Sequence, residues 1–254
     1  MLLALSSTAL AGDIGGGTPA RGVYVGLFGG GGSGSTGSIT QSGTAFFTEA
    51  AGGPLSVRAN GRSDSSGVGL VGLQVGHEWS YGSNLMPALE IEGFYLAGKQ
   101  RAALNNPTNR LPEHKFDDTF PMNNAVLLAN VVLSFPTSYQ TITPYIGGGI
   151  GAARISIKGA DSTQTHPLEV GINHFNSGAN SSSWGFAAQA KAGVRVALGS
   201  NAYVFAEYRY LFVDTTDQTF GSTVYPTHVA TTNWAVRFND MSHQLAVGGI
   251  GFRF

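Results

Sequence analysis

From Gly22 onward, apolar side chains recur at every second position, and most charged residues within those runs take the opposite parity. A period of two is the side-chain period of a β-strand. Leu89, Ile91 and Tyr95 alternate with Glu90 and Glu92. Phe186, Ala188, Ala190, Ala192, Val194 and Val196 alternate with Gln189, Lys191 and Arg195. Val204, Ala206, Tyr208, Tyr210 and Phe212 alternate with Glu207 and Arg209, and Ala246, Ile250, Phe252 and Phe254 with Arg253. Val71, Leu73 and Val75 stand opposite Gln74 and Glu78. One face of the resulting sheet therefore carries four acids (Glu78, Glu90, Glu92, Glu207) and four bases (Lys191, Arg195, Arg209, Arg253), and the other face is free of charge. Arg154, which shares parity with Ile146 and Ile150, is the exception. In the first and fifth segments both parities are apolar or glycine; Val23, Val25, Leu27, Ile146 and Ile150 are taken as outward.

Eight such segments are expected, at about 22–32, 67–79, 85–98, 121–135, 142–157, 184–198, 202–213 and 241–254. The gaps between them alternate. Those at about 33–66, 99–120, 158–183 and 214–240 are long, and the three between them are short. Long and short connections in strict turn are what an up-and-down barrel with two unlike ends produces, and outer-membrane barrels have this asymmetry. Only 11 % of residues are charged, against roughly 25 % in average soluble domains, and no uninterrupted apolar run approaches the length of a spanning helix. The fold expected is an all-β, eight-stranded antiparallel up-and-down transmembrane β-barrel over residues 22–254. Two alternatives remain: a ten-stranded barrel, with an extra hairpin beginning at Pro54–Arg58, and a soluble lipocalin-like barrel, in which the apolar parity would face inward.

Residues 1–11 (MLLALSSTALA) read as a truncated signal peptide ending in small residues, and 12–21 as a flexible lead-in. Net charge is -1, which argues against a nucleic-acid partner, and the lack of cysteine excludes disulfides and thiolate chemistry. No cofactor or metal is implied: the six histidines form no metal-spaced pair. Gly147–Ala152 matches a dinucleotide fingerprint in letters, but strand alternation, not a helix, follows it. Asp240, Ser242 and His243 near the long end do not suggest a hydrolase, because Ser242 and His243 have opposite parity. His114, Asp117, Asp118, Asp214 and Asp217 in the long gaps form no local motif, so no enzymatic activity is expected.

The runs LVGLQVGHEW, ALEIEGFYL, NNAVLLANVVLSF, ITPYIGGGIGAARI, FAAQAKAGVRVAL, YVFAEYRYLF and HQLAVGGIGFRF resemble successive strands of the OmpA-type and opacity-type small outer-membrane barrels. The resemblance covers strands two to eight well and strand one weakly; the long loops are outside it. It implies a bacterial outer-membrane location after signal-peptide cleavage. The partners it implies are outer-membrane lipids, lipopolysaccharide and the outer-membrane assembly machinery, which would read Ile250, Phe252 and Phe254 in the final strand. OmpA-type proteins often carry a peptidoglycan-binding domain after the barrel; the resemblance is confined to the barrel strands, so no cell-wall anchoring role is expected from it.

An eight-stranded barrel is just wide enough inside for side chains to fill it. Glu90, Glu92, Lys191, Arg195, Glu207, Arg209 and Arg253 are therefore expected to form a plugging charge network in the interior, with Gly147, Gly149 and Gly151 making room for it. A narrow porin-like channel for ions or small solutes is the alternative. The long gaps carry Phe46, Phe47, Phe175, Phe220, Tyr225, Trp234 and Phe238 among polar residues, the composition of a surface that binds a host or surface ligand. Lys99, Arg101, Arg110 and Lys115 are candidates for lipopolysaccharide phosphates. Trp79, Tyr81, Phe135, Tyr139 and Phe254 at one end, and Phe94, Tyr95, Trp184 and Phe212 at the other, are expected as interfacial girdles. The overall expectation is a structural, surface-exposed outer-membrane protein, with adhesion or antigenic function carried by the loops.

Overall fold

The computed structural model describes residues 22–80, 85–106, 110, 114–138, 141–226 and 229–254. The expected signal peptide (1–11) and lead-in (12–21), and Tyr81 and Tyr139, lie outside the described residues. The strands are β1 (Val23–Ala45), β2 (Leu55–Ser63), β3 (Ser66–Glu78), β4 (Met86–Asn106), β5 (His114–Ser134), β6 (Ile142–Ile157), β7 (Asp161–His166), β8 (Ser181–Ala197), β9 (Ala202–Val213), β10 (Thr216–Phe220) and β11 (Trp234–Arg253).

Eight of them close a ring of antiparallel neighbours, β1–β3–β4–β5–β6–β8–β9–β11 and back to β1. Leu27 sits between Leu73 and Ile250, and the β1–β11 seam runs from Tyr24↔Arg253 to Ser42↔Ala235. Each of the eight segments read from alternation is one ring strand. Closure leaves no open edge in the ring, so every backbone group there finds a partner on a neighbouring strand, the condition for crossing a bilayer with strands.

The three short strands are not further members of the ring. β2 pairs with the outer halves of β1 and β4 and so continues the lane of β3. In the same way β7 pairs with β5 above β6, and β10 with β11 above β9. The segment that suggested a ten-stranded barrel is thus strand, but stacked above β3. Much of 33–66, 99–120, 158–183 and 214–240, expected as loop, is sheet that prolongs the barrel past its belt.

The wall has the expected polarity through the ring. Val71, Leu73, Val75, Leu89, Ile91, Leu127, Val131, Ile146 and Ile150 face out and are exposed, as are Val23 and Leu27. Nine to eleven residues per strand suffice to cross the hydrocarbon, about the length of this belt. Arg154 does face outward, at the long end of β6 beside Trp184, where its stem can lie along the wall while its guanidinium reaches the interface. Trp184 and Phe254 are about 70 % exposed, and Tyr95, Phe135 and Trp79 are also on the surface. Phe94 is not a girdle residue. It shares the parity of Glu90 and Glu92 and is buried inside against Phe28, ring centroids 6.2 Å apart.

The interior has two levels. Toward the short turns it is polar. Toward the long end it is an apolar core containing Phe116, Phe120, Phe175, Phe220, Trp234 and Phe238. Phe120 packs edge-on to Phe238 at 4.9 Å, and Phe175 stacks on Phe220 at 4.5 Å. Phe175, Phe220, Trp234 and Phe238 were expected on a recognition surface; each is at most 1 % exposed and fills the barrel instead. A change of face makes this possible. In β1 the inward residues pass from Thr36 to Ile39 and Gln41, and in β11 from Met241 to Phe238 and Val236. The switch falls at Asp240, whose φ of 47° is unusual for a side-chain-bearing residue.

Candidate functional site in the charged lumen

Glu78, Glu90 and Glu92 reach the interior from β3 and β4, Lys191 and Arg195 from β8, Glu207 and Arg209 from β9, and Arg253 from β11; all eight are buried. Period two points them inward from two separate arcs of the ring, β3–β4 and β8–β9–β11, and closure of the ring brings the arcs face to face across the lumen. The Lys191 ammonium lies 2.5 Å from Glu90 Oε1 and 3.2 Å from Glu92 Oε2. Arg209 pairs with Glu92 Oε1 at 3.2 Å and with Glu207. Arg195 pairs with Glu78 Oε2 at 2.9 Å, and Arg253 reaches Glu78 Oε1 at 3.6 Å. Every acid therefore has a base, and the four charges of each sign cancel. A buried charge is tolerable only when its partner and its remaining hydrogen bonds are supplied.

Those further bonds come from Gln189, already placed on this face by the alternation, and from residues that the alternation left unassigned. The Tyr24 hydroxyl donates to Glu90 Oε2 at 2.9 Å and that of Tyr145 to Glu207 Oε2 at 2.6 Å. Asn130 donates to Glu90 Oε1, Gln189 to Glu92, and Ser134 to Glu78. The Arg195 guanidinium stands over the rings of Tyr145 (4.6 Å), Tyr24 (5.2 Å) and Tyr203 (5.7 Å), and that of Arg209 over Phe28 (4.2 Å). Planar cations on aromatic faces gain attraction without needing water. Tyr24 and Tyr145 sit in the two segments whose parities were both apolar or glycine, so only the pairing register reveals that they face in.

The glycines of β6 matter here. Gly147, Gly149 and Gly151 face inward, and a Cβ on Gly149 would stand 2.6 Å from the Ala129 carbonyl oxygen and in contact with the Asn130 amide. Gly149→Ala is expected to push Asn130 off Glu90 and to cost about 1–3 kcal/mol, as overpacking does. Chemical denaturation of the protein in detergent micelles measures this, with exposed Gly148→Ala as the control.

The groups considered for catalysis are not gathered. Ser242 faces out and His243 in, on opposite faces of β11. Asp118 is buried beside Ser162, while Asp117 and Asp214 are exposed and Asp217 pairs with Arg237 at 3.7 Å. Burial, helped by Asp161 and Asp117 and opposed by Ser162, pushes the Asp118 carboxyl up to about 8, so it is neutral at pH 7 and suits its apolar surroundings. Gly147–Ala152 is strand throughout, without the helix that a dinucleotide site needs. Among the described residues no group of three or more His, Asp or Glu is arranged to hold a metal.

A closed eight-lane sheet with an apolar outer wall and an internally neutralised lumen defines a membrane-spanning β-barrel of small bore. No family model and no curated protein matches the chain. Among solved structures it is similar to neisserial surface protein A (14 % identity over 91 % of this chain and 97 % of that one, TM-score 0.39). It is also similar to the outer membrane protein OprG of Pseudomonas aeruginosa (14 %, 93 % and 97 %, 0.44) and to the outer membrane protease OmpT of Escherichia coli (10 %, 91 % and 97 %, 0.39).

Proposed function

We propose that this protein is a sealed barrel of the bacterial outer membrane that acts at the cell surface through the sheet prolonging its long end. The observation that carries this reading is the filling of the bore. The paired charges occupy one level, and the core around Phe120, Phe175, Phe220 and Phe238 occupies the level above it. A solute would have to break several buried ion pairs and then part a packed aromatic core. The outward apolar belt and the Phe252 and Phe254 side chains on the closing strand support an outer-membrane location and, with Ile250, recognition by the assembly machinery. Lys99, Arg101 and Arg154 stand outward beyond the belt at the long end, where lipopolysaccharide phosphates would meet them. Arg110 is engaged elsewhere: its guanidinium binds the carbonyls of Ala51, Gly52 and Gly53. An adhesive or antigenic role then falls to exposed residues at the tip, such as Phe46, Phe47, Leu168 and Val170.

Single-channel recording of refolded protein in a planar lipid bilayer tests the seal. Folded protein that gives no current steps is the expected result. Discrete, reproducible steps would overturn it in favour of a narrow channel, with Glu92, Lys191 and Arg209 as the first residues to substitute.

A further inference from the structure

At the long end, above the aromatic core, lies a cavity of about 110 Å³. Phe46, Phe47, Phe116, Tyr225 and Trp234 contribute its aromatic walls, and His174 and Glu169 its polar corner. An apolar cavity of about 150 Å³ accommodates benzene, so this one, open to solvent on one side, suits a group of about one ring.

The polar corner has more acceptors than donors. His174 is buried, edge-on to Phe116 at 5.2 Å, with Nδ1 3.0 Å from the Ser162 carbonyl. A carbonyl only accepts, so Nδ1 carries the proton and Nε2 of the neutral ring presents a lone pair. Burial lowers the affinity of this imidazole for a second proton. Nε2 faces Glu169 Oε2 at 3.6 Å and the Tyr225 hydroxyl at 3.4 Å. Glu169 Oε2 is buried and has no hydrogen-bond partner. Burial, the neighbouring Glu169 carboxylate and a hydrogen bond to that carboxylate push the Tyr225 phenol up to about 12, so it is a neutral hydroxyl whose one proton is already engaged in this corner. Among the described residues that line the cavity, Glu169 is the only carboxylate and there is no lysine or arginine. The nearby cation, Arg110, lies over the Phe47 ring at 5.2 Å and is held by backbone carbonyls.

We propose that this cavity is a binding site for a small aromatic ammonium compound: its N–H groups satisfy Glu169 Oε2 and His174 Nε2, and its ring lies among Phe46, Phe116 and Trp234. Two features select the cation: a corner whose acceptors outnumber its single hydroxyl donor and which carries a negative charge, and π faces that attract ammonium groups. The inference does not depend on whether the lumen is sealed, because the cavity lies above the plug.

The probe is 2-phenylethylammonium, titrated calorimetrically into protein folded in detergent micelles, with phenylacetate as the anion of similar shape. A ligand of about nine heavy atoms is expected to saturate with a Kd near 1 mM or below. Glu169→Gln, at a partly exposed turn position, is expected to weaken binding by about tenfold or more. Phe46→Ala is expected to weaken it severalfold while leaving the heat-shifted gel mobility of the folded barrel unchanged. The proposal is overturned if the amine shows no saturable binding up to about 10 mM. It is equally overturned if Glu169→Gln binds like the parent, or if phenylacetate binds as well as the amine.

Discussion

Replacing Arg209 by alanine is expected to cost about 3–5 kcal/mol of folding stability, the largest loss for any single change in the lumen. Arg209 is fully buried, with partners on two strands. It pairs with Glu92 from β4 and with Glu207 beside it on β9, and its guanidinium lies on Phe28 of β1. Removing it strands negative charge inside a wall that water reaches poorly, and also removes the packing of its stem. Lys191 and Gln189 still hold Glu92, so the sharpest loss is at Glu207, left with the Tyr145 hydroxyl. A double variant, Glu207→Gln with Arg209→Met, is therefore expected to recover much of the stability, because a buried pair replaced by neutral groups of similar volume is often close to neutral. Equilibrium unfolding in micelles or vesicles, followed by tryptophan fluorescence and gel mobility, measures both. A loss below about 1 kcal/mol for the single variant would mean that water screens the lumen, against the sealed barrel.

The outer wall gives the second large effect. Ile91 is 62 % exposed, faces outward on β4, and lies opposite Val75 and Ala129 near the middle of the apolar belt. Ile91→Arg is expected to destabilise the barrel in lipid by about 2–4 kcal/mol, the penalty for a guanidinium near the bilayer midplane. At Ala97, farther along the same strand face and beyond Tyr95, the same change should cost about 1 kcal/mol or less, because the penalty fades toward the interface. Both positions are exposed strand sites with the same parity, and the higher strand propensity of isoleucine over alanine accounts for less than about 1 kcal/mol of the difference. In a soluble barrel with a wet outer wall the two variants would be equally mild, and that result would remove the membrane from the account.

These two predictions rest on parts of the fold that were legible in the letters. Glu90, Glu92, Lys191, Arg195, Glu207, Arg209 and Arg253 could be assigned to one face because each lies in a run with a single apolar parity. Side chains alternate rigidly along a strand, so one clear row fixes the other. Tyr24 and Tyr145 escaped because glycine-rich strands offer two equally small or apolar rows. Only the register, Tyr24↔Gly76 and Tyr145↔Gly193, shows which row faces the charges.

Above the belt the local signal misled. Phe175, Phe220, Trp234 and Phe238 lie in stretches rich in Ser, Thr, Asn and Gly, which read as solvated loop. Their burial depends on β7 and β10 continuing the lanes of β6 and β9, and on β1 and β11 changing face together at Asp240. Neither event leaves a mark in periodicity, because alternation reports which residues share a face and not whether another wall stands opposite it. The sequence by itself determined a strand-built wall with an apolar side, a charged side and two unlike ends. The tertiary structure decided that the wall extends beyond its belt, that it encloses an aromatic core there, and that His174, Glu169 and Tyr225 meet at a cavity. Those contacts join residues brought together only by closure of the ring and packing of the long connections, so no local pattern could encode them.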